Sequence, residues 1–460
     1  MPNPQSYYRD RTLSLWQSAV HQVQLKRQAV QAAATPMAME SMAVPATPPL
    51  TEEDFMAPAD AIGVPLSAGQ SVPAAITSPP PVAPSDAVGP GGLVVDCAAT
   101  AAKFLWAEIQ GDQASSDTYA AQLQYGVCDV IGWGECVTTY LGFKISLGSL
   151  PYRTNQNIVV NISDQATIAI IGDWGTGDST ATNLLQQVAT FKPDILLHLG
   201  DIYFAGTQNE ANNNFLTICR QVLGNIPLYS LCGNHDMYSG GDGYYWLLDQ
   251  IGQKSSYFCL QNDYWQFLAM DTGYNDRNPI TVTNNMTSLY DQDGWSEAAW
   301  HLGMIRQAGN RRIALFSHHQ LFSPFGSVGS TNGQPSAYNP NLLANFKSVL
   351  AEVDIWFWGH EHTLALYDPY LGLVRGRCVG ASAVPVFTNQ QDYADDTSLL
   401  NSGVTTLPTW NPAVNLGSTD GAYNNAFAIM TLNGAEAAVV NYYQVPPLQP
   451  FVQVPFVDTI

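Results

Sequence analysis

From about residue 166 onward, short apolar runs alternate with segments of helical periodicity, and this alternation constrains the fold more than any other feature of the chain. It is typical of βαβ units, in which helices cover a sheet of parallel strands. Hairpin patterns around Asn262-Asp263 and Asn433-Gly434 add antiparallel strands, and the Asn-Gly pair is a strong type I′ turn signal. We therefore predict an α/β fold with two sheets faced by helices. The predicted strands are 166–173, 193–201, 227–236, 311–320 and 353–362, and the predicted helices lie near 179–190, 208–223, 295–308 and 341–352.

Each predicted strand ends in residues that can bind a metal ion. They are Asp173, Asp201, Asn234 with His235, His318 with His319, and His360 with His362, and they include five of the eight histidines in the chain. Because sites in open α/β sheets form where strand C-termini meet loops, these side chains are expected to converge. Carboxylate, amide oxygen and imidazole suit Fe, Mn, Zn or Mg. We interpret the set as a binuclear site, in which a metal polarises a phosphoryl oxygen and a bridging hydroxide acts as nucleophile.

Five short motifs at these strand ends occur in an order that resembles the calcineurin-like metallophosphoesterases, and most closely their purple acid phosphatase branch. The motifs are GDWG (172–175), GDIYF (200–204), GNHD (233–236), SHHQ (317–320) and GHEH (359–362), and the resemblance covers about residues 160–445. It implies a four-layer αββα sandwich that hydrolyses phosphate esters.

The resemblance also implies a role for each residue. Asp173 and His362 would hold the first metal, the carboxylate of Asp201 would bridge both metals, and His235 would protonate the departing alkoxide as a general acid. Asn234, His318 and His360 would hold the second metal. Glycines 172, 200, 233 and 359 would let the backbone lie close to the metals, where a Cβ would obstruct the turns.

The chain departs from the family around the first metal. Purple acid phosphatases carry a tyrosine three residues after the bridging aspartate, and its phenolate colours the ferric ion; this chain has Phe204 there, with Tyr203 one residue earlier. Other branches place a histidine where this chain has Gly175. The first metal therefore lacks one protein ligand, and we predict a colourless or weakly coloured enzyme with two divalent ions, Fe, Mn or Zn, with Mg as a further option. Asp236 replaces the commoner glutamate of the third motif.

Several other polar residues have simpler interpretations. His319 is placed outside the metal ligands, with contact to substrate or water and a packing role equally open, since adjacent strand residues point in opposite directions. His198 is expected to be buried in the core, and His301 to lie on the surface of a helix. Asp271 is expected to cap the end of a strand. The aromatic residues after the third motif, Tyr238, Tyr244, Tyr245 and Trp246, either line a substrate pocket or pack a short helix.

The chain divides into five regions by composition. Residues 1–34 are predicted to form an amphipathic helix that packs on a protein partner or on the body of the protein, and 35–92 form a Pro/Ala-rich, poorly ordered linker. Residues 93–160 are a small lead-in region, 161–446 the metallophosphoesterase domain, and 447–460 a C-terminal tail. Most of the seven cysteines are expected to be core thiols, while pairing of Cys128 with Cys136 stays open.

Charge and hydropathy limit the partners of the protein. Only 12% of its 460 residues are charged and the formal net charge is −21, which disfavours nucleic acid and anionic membrane surfaces as partners. No apolar run is long enough for a membrane span, and the first thirty residues contain no apolar run of signal-peptide length. We therefore expect a cytoplasmic or non-classically exported protein that acts on a small phosphorylated substrate.

Three functions are consistent with the sequence. We favour a phosphomonoesterase that resembles purple acid phosphatase. The first alternative is a phosphodiesterase acting on cyclic nucleotides or other diesters, since the two enzymes would differ in the pocket walls and share the metal site. The second alternative is a non-catalytic metal-binding module.

Overall fold

The computed structural model describes residues 152–154, 158–177, 179–203, 206–276, 287–384, 386, 388, 393–401, 403–419, 422–446 and 450–460. The predicted N-terminal helix, the linker and most of the lead-in region lie outside these residues. Within them, two large mixed sheets dominate the structure.

The first sheet has six strands and combines the early part of the domain with its C-terminal end. Three parallel strands stand side by side, with Ile168 paired to Ile195 and Leu196 paired to Leu228. Three antiparallel strands from the end of the chain complete the sheet. In spatial order, the strands are Val452–Thr459, Val439–Val445, Asn425–Thr431, Thr167–Ile171, Ile195–His198 and Leu228–Ser230.

The second sheet has seven strands and is built from the middle of the chain. Its centre is parallel, with Phe267 paired to Ala314 and Phe316 paired to Phe357. The predicted hairpin around Asn262-Asp263 is present, since Phe258–Gln261 and Trp265–Ala269 pair antiparallel. In spatial order, the strands are Val159–Asn161, Phe258–Gln261, Trp265–Ala269, Arg312–Ser317, Ile355–Trp358, Gly376–Val379 and Leu364–Leu366.

Helices connect the strands near the predicted positions. The longest are Ser179–Ala189, Asp242–Ile251 and Glu297–Arg306; Gln208–Glu210 continues through the π-helical turn Ala211–Leu216 into Thr217–Leu223, and Asn234–Tyr238 and Pro340–Phe346 are short. Single 3₁₀ turns span Leu350–Glu352, Thr397–Leu399 and Pro412–Val414. Small two-stranded ribbons pair Asp291–Gln292 with Trp295–Ser296, Gly329–Thr331 with Gln334–Ser336, and Ser418–Thr419 with Ala422–Tyr423.

The core separates into three apolar layers because alternate strand residues face opposite sides of a sheet. Between the sheets, Ile168 and Ile170 of the first sheet belong to one cluster with Phe316 and Phe357 of the second. The outer faces of the sheets pack against helices, through Ala169 and Ile171 on the six-stranded sheet and through Leu315, Trp356 and Trp358 on the seven-stranded one. The four-layer αββα arrangement is thereby confirmed.

The predicted antiparallel pair of strands around Asn433-Gly434 is present, but two other expectations about the C-terminal part, the type I′ turn and the tail, were wrong. The strands around Asn433-Gly434 pair from Thr431 to Val439, which leaves a seven-residue loop, and only Gly434 of the pair has a positive φ, at 64°. A type I′ turn needs positive φ at both positions. The loop instead contacts a distant segment of the chain, since the Gly434 amide donates a hydrogen bond to the carbonyl of Asp164. Residues 452–459, expected to belong to a tail, form the outer strand of the first sheet.

A buried ion pair joins this outer strand to the other sheet. Arg377 of the second sheet donates two hydrogen bonds of 2.7 Å to the carboxylate of Asp458, which also accepts one from Tyr442. Although burial opposes ionisation, the guanidinium of Arg377 holds the pKa of Asp458 below its usual range.

The expectation that His301 lies on a helix surface was wrong. His301 is buried, and its Nε2 lies 3.1 Å from Oε1 of Glu297, one helical turn earlier. Among the described helices, none is both long and apolar enough to cross a membrane.

Candidate metal centre

The predicted ligands come together at the C-terminal ends of strands from both sheets. Asp173 and Asp201 follow Thr167–Ile171 and Ile195–His198 in the first sheet, and His318 and His360 follow Arg312–Ser317 and Ile355–Trp358 in the second. Asn234 opens the short helix after Leu228–Ser230. The centre therefore lies where the ends of the two sheets meet, as the strand-end pattern predicts.

The backbone bends sharply at three of these ligands. Asp173, Asp201 and His360 have φ values of 56°, 73° and 66°, and they are three of the seven described non-glycine residues with positive φ. Such a conformation is uncommon for residues with a side chain and costs of the order of 1 kcal/mol or more. A hydrogen bond of 2.8 Å from the His360 amide to Asp173 Oδ2 holds two of these bends together.

One group of donor atoms surrounds His318. Its Nε2 lies 3.1 Å from Asn234 Oδ1, 3.1 Å from His360 Nδ1 and 3.3 Å from Asp201 Oδ1. The other ring nitrogen, Nδ1, lies 2.9 Å from the carbonyl oxygen of Leu199. Because a carbonyl only accepts, Nδ1 carries the proton and the lone pair of Nε2 faces the group. Burial lowers the pKa of His318, which favours this neutral ring.

A second group of donor atoms surrounds a residue that was not predicted as a ligand. Tyr203 Oη lies 3.0 Å from Asp173 Oδ1, 3.1 Å from Asp201 Oδ2 and 3.0 Å from His362 Nε2. His362 Nε2 is itself 3.4 Å from Asp173 Oδ1. Phe204, which occupies the position of the family's tyrosine, lies outside the described residues. The structure thus places a phenol among the predicted ligands of the first metal, where the sequence indicated a missing donor. We call this set, Asp173, Asp201, Tyr203 and His362, the first ligand group.

Gly175 explains how Tyr203 reaches this position. Gly175 and Ile202 form an isolated parallel bridge, and the Tyr203 amide donates a 2.9 Å hydrogen bond to the carbonyl of Gly175. A Cβ on Gly175 would lie 2.7 Å from the Cα of Ile202, so a side chain there would separate the two segments. The same backbone contact therefore leaves no room for a side chain at 175 and holds the segment that carries Tyr203.

Asp201 divides its carboxylate between the two groups. Oδ1 faces His318 Nε2 and Oδ2 faces Tyr203 Oη. Burial opposes ionisation of Asp201, but the charge that His318 and His235 carry when protonated at acid pH outweighs it, together with the hydrogen bond from the His235 amide, and the pKa of Asp201 is lowered. Burial raises the pKa of Asp173, and the negative Asp201 nearby adds to the effect. Two buried carboxylates at one site need compensating positive charge to ionise together.

The donor atoms therefore fit a pair of cations. Both groups contain carboxylate oxygen and imidazole nitrogen, because Asp201 faces each of them. Their side chains are buried, apart from the half-buried His360 and His362. The ring of His319 also lies within reach of the group around His318 and His360. Oxygen and nitrogen donors of this kind suit Fe, Mn, Zn or Mg.

Residues 166–364 match the family model of calcineurin-like phosphoesterases. This segment is a calcineurin-like phosphoesterase domain. The calcineurin-like phosphoesterases are metal-dependent hydrolases of phosphate esters, and the matched residues include all five motifs of the candidate metal centre.

Solved structures similar to this chain include two distant proteins. A purple acid phosphatase from yellow lupin (Lupinus luteus) seeds is 14% identical, with a TM-score of 0.44 over 65% of this chain and 54% of that chain. GAP50, an anchor in the inner membrane complex of Plasmodium, is 14% identical, with a TM-score of 0.43 over 64% of this chain and 88% of that chain. The chain thus spans about half of the lupin enzyme. No curated protein matches its sequence.

In the phosphoesterase domain, His235 lies beside the shared aspartate. Its backbone amide donates a 3.0 Å hydrogen bond to Asp201 Oδ1, and its Nε2 is 4.0 Å from Asp201 Oδ2. The rings of Tyr203 and Tyr238 flank the imidazole at centroid distances of 4.6 and 4.8 Å. The side chain therefore sits at the rim of the centre with its orientation fixed on two sides.

Two neighbours of Asn234 fix the third motif. Asn234 Nδ2 donates a 2.6 Å hydrogen bond to Oη of Tyr238, one helical turn later. This bond turns the amide oxygen of Asn234 towards His318. Asp236 accepts hydrogen bonds from the amides of Asp201, Ile202 and Gly233, so it ties the second and third motifs together. Of the two sequence interpretations of Tyr238, packing is the one that the contacts favour, with the added role of orienting a predicted ligand.

The glycines of the motifs allow these close approaches. A Cβ on Gly233 would lie 2.1 Å from Asp201 Oδ1, and one on Gly359 would lie 2.6 Å from Asp173 Oδ2. On Gly200, which also has a positive φ of 102°, a Cβ would lie 2.8 Å from His318 Nδ1. Each of these positions excludes a side chain because a predicted ligand occupies the space.

His198 and Asp271 lie apart from the two groups of donor atoms. His198 is buried and bonds to Ser230 Oγ at 3.0 Å, and burial lowers its pKa to about 3. Asp271 is buried, accepts a hydrogen bond from the amide of Tyr274, and has a pKa raised by burial to about 7. His319, in contrast, lies inside the site, because the strand ends at Ser317 and strand alternation no longer applies to it.

Proposed function

We propose that the chain hydrolyses phosphate esters with two bound metal ions, and that phosphomonoesters are its preferred substrates. The observation that carries the proposal is the division of the Asp201 carboxylate between two groups of donor atoms. A single carboxylate that faces two such groups is the arrangement that a bridged metal pair requires.

Asp173, His362, Asp201 and Tyr203 would hold the first ion, and Asn234, His318, His360 and Asp201 the second. When bound, the ions would polarise the phosphoryl group and lower the pKa of a water molecule. We propose Fe, Mn or Zn as the metals, with Mg as an alternative.

We assign His235 as the general acid that protonates the leaving alkoxide. It is the imidazole beside Asp201 that belongs to neither ligand group, and its Nε2 is 4.0 Å from the shared carboxylate. Asp201 would stabilise the protonated ring, and the flanking rings of Tyr203 and Tyr238 would hold it in place. A positioned general acid contributes roughly 10²–10⁴-fold to a rate.

The proposed role of His235 is tested by two leaving groups of different basicity. In His235→Ala, hydrolysis of an alkyl phosphate should fall by about 10²–10⁴-fold, because an alkoxide needs the proton. Hydrolysis of nitrophenyl phosphate should fall much less, since nitrophenolate leaves unprotonated. Equal losses for both substrates would contradict the assignment.

The proposed function itself is tested by metal analysis together with an activity titration against Mn, Fe, Zn and Mg. We expect two ions per chain and faster hydrolysis of nitrophenyl phosphate than of bis-nitrophenyl phosphate. The reverse order of rates would identify a phosphodiesterase. Two ions per chain with no turnover of either substrate would identify a non-catalytic metal-binding module, and Asp201→Asn should lose both bound metal and turnover.

A further inference from the structure

His319 follows a predicted ligand directly, and both of its ring nitrogens are engaged. Nδ1 lies 3.0 Å from Thr272 Oγ1, and Nε2 lies 3.0 Å from Asp276 Oδ2. The His319 side chain is fully buried. Its ring packs against the ring of His360 at a centroid distance of 4.4 Å and against that of His318 at 4.9 Å.

The two partners of His319 lie on one tight turn, residues 272–276. The amide of Asp276 donates a 2.9 Å hydrogen bond to the carbonyl of Gly273, which closes the turn. Thr272 Oγ1 also accepts a hydrogen bond of 3.0 Å from the backbone amide of His319. The turn therefore fixes both the backbone and the ring of His319.

The same turn also packs against the segment that carries Asn234. A Cβ on Gly273 would lie 2.3 Å from the carbonyl oxygen of Gly233, so the two backbones are in direct contact. The turn 272–276 thus contacts the residue before Asn234 on one side and His319, which packs on His318 and His360, on the other. All three proposed ligands of the second ion apart from the shared Asp201 are supported from this one turn.

We propose that His319 is a positioning residue for the second metal ion, held by Thr272 and Asp276, and that it acts through the rings of His318 and His360 without ligating the metal. The proposal rests on the proposed binuclear function. Ligation is disfavoured because a histidine binds a metal through a ring-nitrogen lone pair, and each nitrogen of His319 already faces Thr272 or Asp276. Partners that orient metal ligands in this way commonly contribute 10–100-fold to metal affinity.

Cobalt titration of the metal-free full chain tests the proposal, with bound ions counted by equilibrium dialysis and the ligand set followed by visible absorption. In His319→Ala, the affinity for the second ion should fall by about 10–100-fold, while affinity for the first stays within about twofold of the wild type. At saturating cobalt, the absorption spectrum should match that of the wild type, because no ligand has been removed.

Asp276→Asn provides a milder variant in case His319→Ala fails to fold. Asparagine keeps a hydrogen-bond acceptor for His319 and removes the charge, so the second affinity should fall by less than in His319→Ala. His301→Asn is the matched control, since His301 is also buried and paired with a carboxylate, Glu297. We expect it to lower the unfolding temperature and to leave both cobalt affinities unchanged.

Each other outcome has a distinct meaning. Unchanged second affinity in both His319→Ala and Asp276→Asn would overturn the positioning role. A different spectrum of His319→Ala at saturating cobalt would overturn it as well, by showing that His319 is a ligand. If the wild type binds fewer than two ions, the proposed binuclear function fails, and the inference fails with it.

Discussion

Replacing Tyr203 with phenylalanine removes one oxygen atom from the middle of the first ligand group. That oxygen lies within 3.1 Å of Asp173 Oδ1, Asp201 Oδ2 and His362 Nε2. A phenol has one proton, so it donates one strong hydrogen bond at a time. Because a hydrogen bond to a charged group contributes about 1.5–3 kcal/mol, metal-free Tyr203→Phe protein should lose about that much free energy of unfolding.

Urea unfolding of the metal-free protein measures this loss. Tyr244→Phe is a matched control, because Tyr244 is equally buried and donates a 2.9 Å hydrogen bond to a neutral acceptor, the carbonyl of Ser230. A neutral bond contributes about 0.5–1.5 kcal/mol, so the control should lose less. If Tyr203→Phe is as stable as the wild type, or loses less than the control, the phenol does not bond to the charged carboxylate of Asp201.

The same variant separates two expectations about colour. The prediction of a colourless enzyme assumed that the first group lacks a phenol, and Tyr203 now lies there. With two divalent ions, the wild type should remain colourless or weakly coloured. With a ferric ion in the first group, the wild type should absorb strongly in the visible range and Tyr203→Phe should not. A ferric-loaded wild type without a visible band would refute ligation by Tyr203 and would leave the hydrogen-bond argument intact.

Three further predictions follow from single contacts. Tyr238→Phe should lower the affinity for the second metal by about 10–100-fold, measured by metal titration, because the Asn234 amide loses the partner that orients it; unchanged affinity would contradict this. Gly175→Ala should displace Tyr203 and reproduce the absence of a ferric band, whereas a retained band would show that the backbone contact is dispensable. Asp271→Asn should stabilise the protein at pH 8, measured by urea unfolding, by up to about 4 kcal/mol. Burial raises the Asp271 pKa to about 7, so the stability that the protonated carboxyl group gives the folded protein is fully present below about pH 4 and is lost as pH rises through 7. If Asp271→Asn is still more stable than the wild type at pH 4, this reasoning is refuted.

The sequence predicts the part of the site that depends on strand ends. Asp173, Asp201, His318 and His360 each follow an apolar run, and parallel strands bring such positions to one edge of a sheet whatever the details of packing. The layer order follows from the same regularity, since alternate residues of Thr167–Ile171 face the two sides of the sheet. These features are local patterns that the topology preserves.

The features that the sequence does not predict depend on contacts between distant segments. His301 is buried because Glu297 links it to Tyr152 and to the amide of Asp271, although the helix pattern alone suggests a surface residue. Strand alternation does not apply to His319, because the strand ends at Ser317, and its place outside the metal ligands stays a prediction.

Tyr203 shows why a comparison position by position misjudges the first ligand group. Counting from Asp201 places the expected tyrosine at residue 204, but the count assumes that the backbone after Asp201 follows the same path in every relative. Here Gly175 admits Ile202 into van der Waals contact, and the bridge between them sets the direction in which the next side chain points. The Ile202 side chain packs outward with the helices, so Tyr203 faces the metal centre. A glycine that removes one potential ligand thereby creates the space through which another donor enters, and the two departures compensate each other.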